Sequence, residues 1–547
     1  MSLRNRFVLM FVLAALAVLA GCSSTNKATP PPTGGFSNTN LSGTYVFSTA
    51  GADAVNGTFL TMVGTFTACG CTGGTISAGV VDMNDPIFTA PVVQLAITGG
   101  SYSVGVDGRG KASLSAATPF GSSIELDFVL SSSQGGLVTE FDTNGSGSGT
   151  LDLQSSPAQT AGTYVFNLAG IAGVSTTTGF GIPLATVGSV TLDASGNATG
   201  VQDYNNSGSS NAPSAPLAIS SSTPVLVGTS PSTTTLVSGA GTFTFDVYAI
   251  SSTHFKLIET DVAPILVGDV FSQSSAAFPS GELAFAMAGL DFVSSGPLAV
   301  GGMMNSNGTS TLSAGVEDFN DVVNGVGVSN VVPGTSTTPI SFTGGLSPSG
   351  TGRYLVTFNS GFENGNGGNT TIPYTFAAYP STGGTQLLEI DTFGITGGVA
   401  YPQNSTSFAS GEGYGLNLTG SDGSEVDDIA EFTNTNNALS GLIDTNNDQA
   451  TANSTGNFTG TYTPDTTNLG RGLITTTNGG VNLVSYTVDS TNSIFIEYDN
   501  YQVAVGSIGQ QASASQGAIA TRMAVLRPRA LARGAWKKRP AADSQGR

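Results

Sequence analysis

The sequence predicts an all-β chain of four tandem antiparallel domains, and three observations carry that prediction. The pattern Glu, one residue, Asp, six residues, Gly, four residues, Gln returns four times with identical spacing: Glu140/Asp142/Gly149/Gln154, Glu259/Asp261/Gly268/Gln273, Glu389/Asp391/Gly398/Gln403 and Glu497/Asp499/Gly506/Gln511. The copies lie 119, 130 and 108 residues apart, and a recurrence on that scale marks tandem copies of one domain. The composition agrees: 75 glycines in 547 residues with only 10% charged residues suit short strands joined by many turns, while 39% hydrophobic residues argue against disorder. Short apolar runs alternate with period two and are separated by turn residues every 8–12 positions or so, as in small sandwiches and barrels.

The first 21 residues read as a secretory signal. Arg4 and Arg6 precede an apolar run from Phe7 to Ala20, which is short for a membrane span. The signal ends on Leu19-Ala20-Gly21-Cys22, which resembles the lipobox of bacterial lipoproteins. That resemblance implies that Cys22 becomes the new N-terminus and carries acyl chains, so that the protein is anchored to the membrane rather than spanning it. Ser23 at the next position resembles lipoproteins sent to the outer membrane where a cell has two. Residues 22–40, with Pro30-Pro31-Pro32 and Gly34-Gly35, form a linker.

Four repeats follow, at 41–157, 158–277, 278–406 and 407–515. Each opens on a related strand: Gly43-Thr-Tyr45-Val-Phe47, Gly162-Thr-Tyr164-Val-Phe166, Gly281-Glu-Leu283-Ala-Phe285 and Gly411-Glu-Gly413-Tyr414. A second signature, Gly, two residues, Asp, one residue, Asn, comes 30 to 38 residues later as Gly79/Asp82/Asn84, Gly200/Asp203/Asn205, Gly315/Asp318/Asn320 and Gly441/Asp444/Asn446. Its Asp and Asn are expected to end a strand and cap the turn that follows. In repeat 1 the runs near 43–49, 58–67, 74–82, 92–97, 101–106, 110–116, 124–130, 136–142 and 149–153 predict eight or nine strands. Eight strands suit barrel closure, so small up-and-down barrels are favoured over sandwiches. The opening Ser42-Gly43-Thr44-Tyr45-Val46-Phe47 is similar to the repeats of uncharacterised bacterial exported proteins, a resemblance that implies export and repetition.

Charge is distributed unevenly. The net charge is −20, yet eight of sixteen cations lie between Arg522 and Arg547. The body keeps only Arg109, Lys111, Lys256, Arg353 and Arg471, which excludes nucleic-acid binding by the acidic body. The tail, 516–547, reads as a solvated or short helical basic segment, with docking on anionic lipid or acidic polymer as its functional reading.

Each recurrent Glu-x-Asp sits at the end of an apolar strand, where a carboxylate needs a partner. One body cation per repeat is available, so structural salt bridges are expected: Glu140 and Asp142 with Arg109, Glu259 and Asp261 with Lys256, Glu389 and Asp391 with Arg353, Glu497 and Asp499 with Arg471. A glycosidase pair is disfavoured, because such carboxyls usually face each other across a cleft from different segments. Asp444-Thr-Asn446-Asn-Asp448 and Asp203-Tyr-Asn205-Asn-Ser207 mimic the start of a calcium loop but have Thr455 and Ser214 at its twelfth position. Cys69-Gly70-Cys71 predicts a small disulfide in an oxidising compartment. His254 is the only histidine, so no catalytic triad, metal site or cofactor is assigned. The expected function is that of a cell-envelope lipoprotein with a binding, adhesive or structural role and no catalysis. The alternatives are a glycan-active exported enzyme and a weak calcium-dependent adhesion module. The expected partners are the membrane, through the acyl chains, and an extracellular polysaccharide or protein.

Overall fold

Tyr45 and Phe47 point one way and Val46 the other, and that alternation explains how each unit is built. The computed structural model describes residues 35–512 apart from 156, 177–180, 208, 214, 293–295, 324–325, 332–337, 351, 361–371, 408, 448–453, 478–480 and 500–501. Cys22, the signal, most of the linker and the basic tail from residue 513 lie outside the described residues. Tyr45 and Phe47 belong to the interior of the first domain, whereas Val46 packs with Val63 against Tyr248, Ile250 and Ile258 of the second. The opening strand is therefore apolar on both faces because one face fills its own core and the other meets a neighbour.

All four units are closed eight-stranded antiparallel barrels. Barrel 1 runs through Ser42–Asp53, Phe59–Cys69, Thr75–Asn84, Val92–Ile97 continued by Gly99–Val104, Arg109–Thr118, Gly121–Ser132, Gly135–Glu140 and Gly145–Leu153. The two runs expected near 92–97 and 101–106 are segments of one fourth strand, because both pair with Thr75–Asn84 in a single register. Each barrel closes where its first strand pairs with its eighth. Barrels 2, 3 and 4 extend over Gly162–Ser272, Ser280–Pro402 and Glu412–Gln510. Each has its own buried interior, dominated by aromatic and aliphatic side chains such as Phe66 and Phe128 in barrel 1 and Phe285 and Phe358 in barrel 3.

The recurrent motif glycine stands where the eighth strand meets the first. A Cβ at Gly149, Gly268, Gly398 or Gly506 would lie 1.7, 1.9, 2.1 or 2.0 Å from a first-strand carbonyl oxygen. Any side chain there would force the two strands apart.

The barrels associate head to tail. Val165 and Val187 of barrel 2 pack with Tyr379, Leu388 and Ile395 of barrel 3, and Ala284, Ala286 and Met303 of barrel 3 pack with Tyr486, Ile494 and Val505 of barrel 4. Barrel 4 then returns to barrel 1, where Ile429 meets Val129 and Leu137. A heterologous contact repeated with a fixed rotation closes into a ring, and here the ring closes within one chain.

All barrels point the same way, which gives the ring two faces. The near face carries the turns after the second, fourth and sixth strands together with the links between barrels. The far face carries the turns after the first, third, fifth and seventh strands. Both ends of the described chain reach the near face at barrel 1: Phe36 N donates to Val106 O at 3.0 Å, and Ala512 N donates to Ser131 O at 2.8 Å.

Gly268→Val should destabilise barrel 2 by at least about 3 kcal/mol through overpacking against backbone, read as a lower urea midpoint, whereas Gly162→Ala at an open edge should leave the midpoint unchanged.

Candidate functional site

The two recurrent motifs are complementary halves of one contact between barrels. At the end of the third strand, the side-chain amide of Asn84 donates to Glu259 O at 2.9 Å and Asp261 O at 2.8 Å in the next barrel. Asn205 reaches Glu389 O and Gly394 O, both at 3.0 Å, and Asn320 reaches Glu497 O, Asp499 O and Gln502 O at 2.7 to 3.0 Å. Asn446 of barrel 4 reaches back to Glu140 O at 2.7 Å and Gly145 O at 2.8 Å, closing the ring. The motif glutamines tie the near face in the same sense. Gln154, Gln273 and Gln403 donate to Ala249 O, Pro380 O and Thr487 O of the following barrel, and Gln511 donates to Asp107 O and Leu130 O of barrel 1.

Arg109, Lys256, Arg353 and Arg471 each bind a carboxylate other than the Glu-x-Asp pair expected for them. Arg109 is registered with Val129 and Glu140 with Leu126, three positions apart on one strand, so period-two alternation sends them to opposite faces. The glutamates turn inward and are buried. The cations turn outward to the neighbouring barrel or along their own wall. Arg353 Nε and Nη2 bind the carboxylate of Asp203 at 2.7 and 2.6 Å, and Tyr379 donates to the same group at 2.6 Å. Arg471 grips Asp318 at 2.7 and 2.9 Å with Tyr486 at 2.6 Å, and Arg109 pairs with Asp444. Lys256 bonds Asp269 of its own barrel at 2.8 Å, sharing it with His254 at 2.7 Å. Asp203, Asp318 and Asp444 of the second signature are thus acceptors for the next barrel's arginine rather than turn caps.

Barrel 2 breaks this scheme. Pro231 precedes its fifth strand, Ser232–Ser238, where the other three barrels have arginine. Asp82 therefore meets a seam without a guanidinium, and burial, with Asp246 nearby, pushes its carboxyl up to about 7. Glu259 is pushed up to about 10, by burial first and then by Asp261 beside it. Burial likewise holds Glu140 well above the usual carboxylate range, and Glu389 is 1% exposed and accepts from Thr396 N at 3.0 Å and Thr396 Oγ1 at 2.8 Å. The motif aspartates serve the turn and the adjoining strand: Asp142 accepts from Asn144 N at 2.7 Å, Asp261 from Thr244 N at 2.8 Å, and Asp391 from Thr375 N at 2.6 Å.

The residues of the calcium-like runs are occupied in these seams, Asp444 by Arg109 and Asn446 by barrel 1 carbonyls. Among the described residues no group of three or more His, Cys, Asp or Glu is placed to hold a metal. Cys69 and Cys71 form a disulfide in the near-face turn between the second and third strands of barrel 1.

With the recurrent carboxylates used by the fold, the far face is the candidate site. The connection from first to second strand spans 54–58 in barrel 1 and 422–424 in barrel 4, and that from seventh to eighth spans 141–144, 260–264 and 390–393 in barrels 1 to 3. On the near face the sixth-to-seventh connection is uniform, at 133–134, 252–253 and 382–383, lengthening only to 488–491 in barrel 4. Val55, Ile87, Val174, Val262 and Val328 are exposed on the far face, which also carries the half-buried carboxylates of Asp142, Asp261 and Asp391.

No family model and no curated protein matches this chain. Solved structures that align with it include a mutant transferrin binding protein B of Haemophilus parasuis, at 8% identity and a TM-score of 0.17 over 69% of this chain and 83% of that one. The intact Ap-TbpB, with N and C lobes, aligns at 10% identity and a TM-score of 0.17 over 69% and 84%. At such scores neither similarity bears on fold or partner. Among the described residues no helix is long and apolar enough to cross a membrane.

Arg353→Met leaves Asp203 buried with only Tyr379 and Asn211 to support it, and is expected to destabilise the protein by about 3–5 kcal/mol in urea denaturation. Asp82 moves from an ordinary 3.8 to about 7 on folding, so between those values the folded state holds a proton that the unfolded chain releases. Stability should therefore fall as pH rises from about 4 to about 7, and the melting temperature of Asp82→Asn should depend less on pH than the parent's over that interval.

Proposed function

We propose that this protein is an exported, lipid-anchored envelope protein whose ring binds a partner on its far face and performs no catalysis. The observation that carries the reading is the asymmetry of the two faces. The near face gathers both described chain ends at barrel 1, where Phe36 and Gln511 both crowd Gly108. A linker acylated at Cys22 and a basic tail leaving from that point would both act on one surface, and anionic lipid attracts such a tail at about 1 kcal/mol per Lys or Arg. The far face would then be turned away from the membrane. Its connections differ in length from barrel to barrel, as binding loops on a rigid scaffold do. Its exposed valines and half-buried carboxylates suit a protein partner with a basic, partly apolar surface, or an extracellular polysaccharide.

Cys22→Ser should move the protein from the membrane to the soluble fraction. In intact cells of the acylated parent, cysteine introduced at Val55, which is 69% exposed on the far face, should react with a membrane-impermeant maleimide much faster than cysteine at Val106, which is 56% exposed on the near face. Equal labelling of the two sites in intact cells and lysate would overturn the orientation.

A further inference from the structure

Cys69 stands where two sister barrels carry a turn-capping side chain. The opening-strand residues Tyr45, Tyr164 and Leu283 pair with Phe66, Val190 and Met304, and three residues further on come Cys69, Asp193 and Asn307. Asp193 Oδ1 accepts from Ser195 N at 2.7 Å and Asn197 N at 2.9 Å, and Asn307 Oδ1 accepts from Thr309 N at 2.9 Å and Thr311 N at 3.0 Å. Cys69 Sγ does the same in barrel 1, accepting from Cys71 N at 3.2 Å and Thr75 N at 3.3 Å. Converging backbone N–H groups of this kind favour an anion. In barrel 2, hydrogen bonds from the Asn197 side chain first, and then from backbone N–H groups, hold the Asp193 carboxyl below its usual range.

The disulfide itself adds little to the turn. It encloses a single residue, so it removes little freedom from the unfolded chain. Barrels 2 and 3 hold the equivalent turn without any cysteine. Both Cys69 and Cys71 are exposed, and a Cβ at Gly73 would meet nothing within 4 Å, so the turn is open to an incoming group. The two sulfurs are unequal. Cys71 Sγ has the Thr75 hydroxyl at 3.8 Å but, among the described residues, no backbone N–H donor.

We propose that the Cys69–Cys71 disulfide oxidises a pair of thiols on another exported protein by thiol–disulfide exchange. A substrate thiolate attacks Cys71 Sγ, the bond between the two sulfurs breaks, and its electron pair leaves on Cys69 Sγ, where the two N–H groups hold the charge. A better-stabilised leaving thiolate departs faster. A second substrate thiolate then attacks the substrate sulfur of the mixed disulfide and releases Cys71, which takes up a proton. Two substrate thiols become one disulfide, the Cys69–Cys71 pair gains two electrons, and of the two thiol protons one ends on Cys71 and one in solvent. Each chain performs one such exchange, which is not turnover. The substrate class rests on the proposed export, whereas the exchange rests on the turn alone and is tested on purified protein.

The test uses the full-length Cys22→Ser chain, in which Cys69 and Cys71 are the remaining cysteines. Excess reduced glutathione at neutral pH should reduce the folded protein and yield one oxidised glutathione per chain, with acid-quenched intermediates carrying glutathione on Cys71. A structural disulfide resists the same treatment. The reduced chain should melt with the oxidised one, as should a Cys69→Asp, Cys71→Ala chain that takes over the cap of barrel 2. In single-thiol chains, the pH of half-alkylation should be at least about one unit lower for Cys69 in Cys71→Ala than for Cys71 in Cys69→Ala. A disulfide that survives glutathione in the folded chain, a melting temperature lowered by reduction, glutathione trapped on Cys69, or a Cys69 midpoint not below that of Cys71 would each overturn the proposal. Should a single-thiol chain fail to fold, reduction and trapping in the Cys22→Ser chain decide.

Discussion

One side-chain amide per barrel sets the arrangement of this protein. At the end of a third strand an asparagine presents two N–H groups, and the next barrel presents to it carbonyls from around its seventh-to-eighth turn. Asn84, Asn205, Asn320 and Asn446 each satisfy at least two of these carbonyls. Apolar burial supplies association energy but no direction, whereas a two-point amide contact fixes axial register and rotation together. The parallel barrels, the shared far and near faces and the closure after four units all follow from repeating that contact.

Around this common contact the seams differ in character. The seam between barrels 3 and 4 is broad and apolar, with Met303, Tyr486, Ile496 and Val505 in one cluster. The closing seam between barrels 4 and 1 is largely polar: Ser146 Oγ donates to Asp427 at 3.0 Å, Ser148 Oγ to Leu418 O at 3.1 Å, and Asn417 to Val138 O at 3.3 Å. The seam between barrels 1 and 2 lacks the arginine and carries two nearby acids in its place. One geometry is therefore held by three different balances of dispersion, hydrogen bonding and charge.

The barrels and their number were legible in the sequence because period-two alternation and motif spacing are local properties. The pairing of charges was not. Arg353 and Asp203 are 150 residues apart and Arg109 and Asp444 are 335 apart, and nothing local distinguishes a partner in the same repeat from one in the next. The strand parity that separates Arg109 from Glu140 could have excluded the expected bridges, since three positions along a strand reverse the face. The meaning of Val46 and Val165 was hidden for a related reason: an apolar residue facing outward looks like core until its neighbour is known.

Covalent continuity changes what the closing seam has to achieve. The closing seam joins a small apolar cluster, Ile429 with Val129 and Leu137, to the Arg109–Asp444 pair and to hydrogen bonds from Ser146, Ser148, Asn417 and Asn446. Linked through the two intervening barrels, the two halves of that seam face each other at an effective concentration of about the millimolar order or above. The chain can thus close on a seam rich in polar contacts that never has to capture a free partner from solution. A homotetramer of single barrels would need all four joints to be strong.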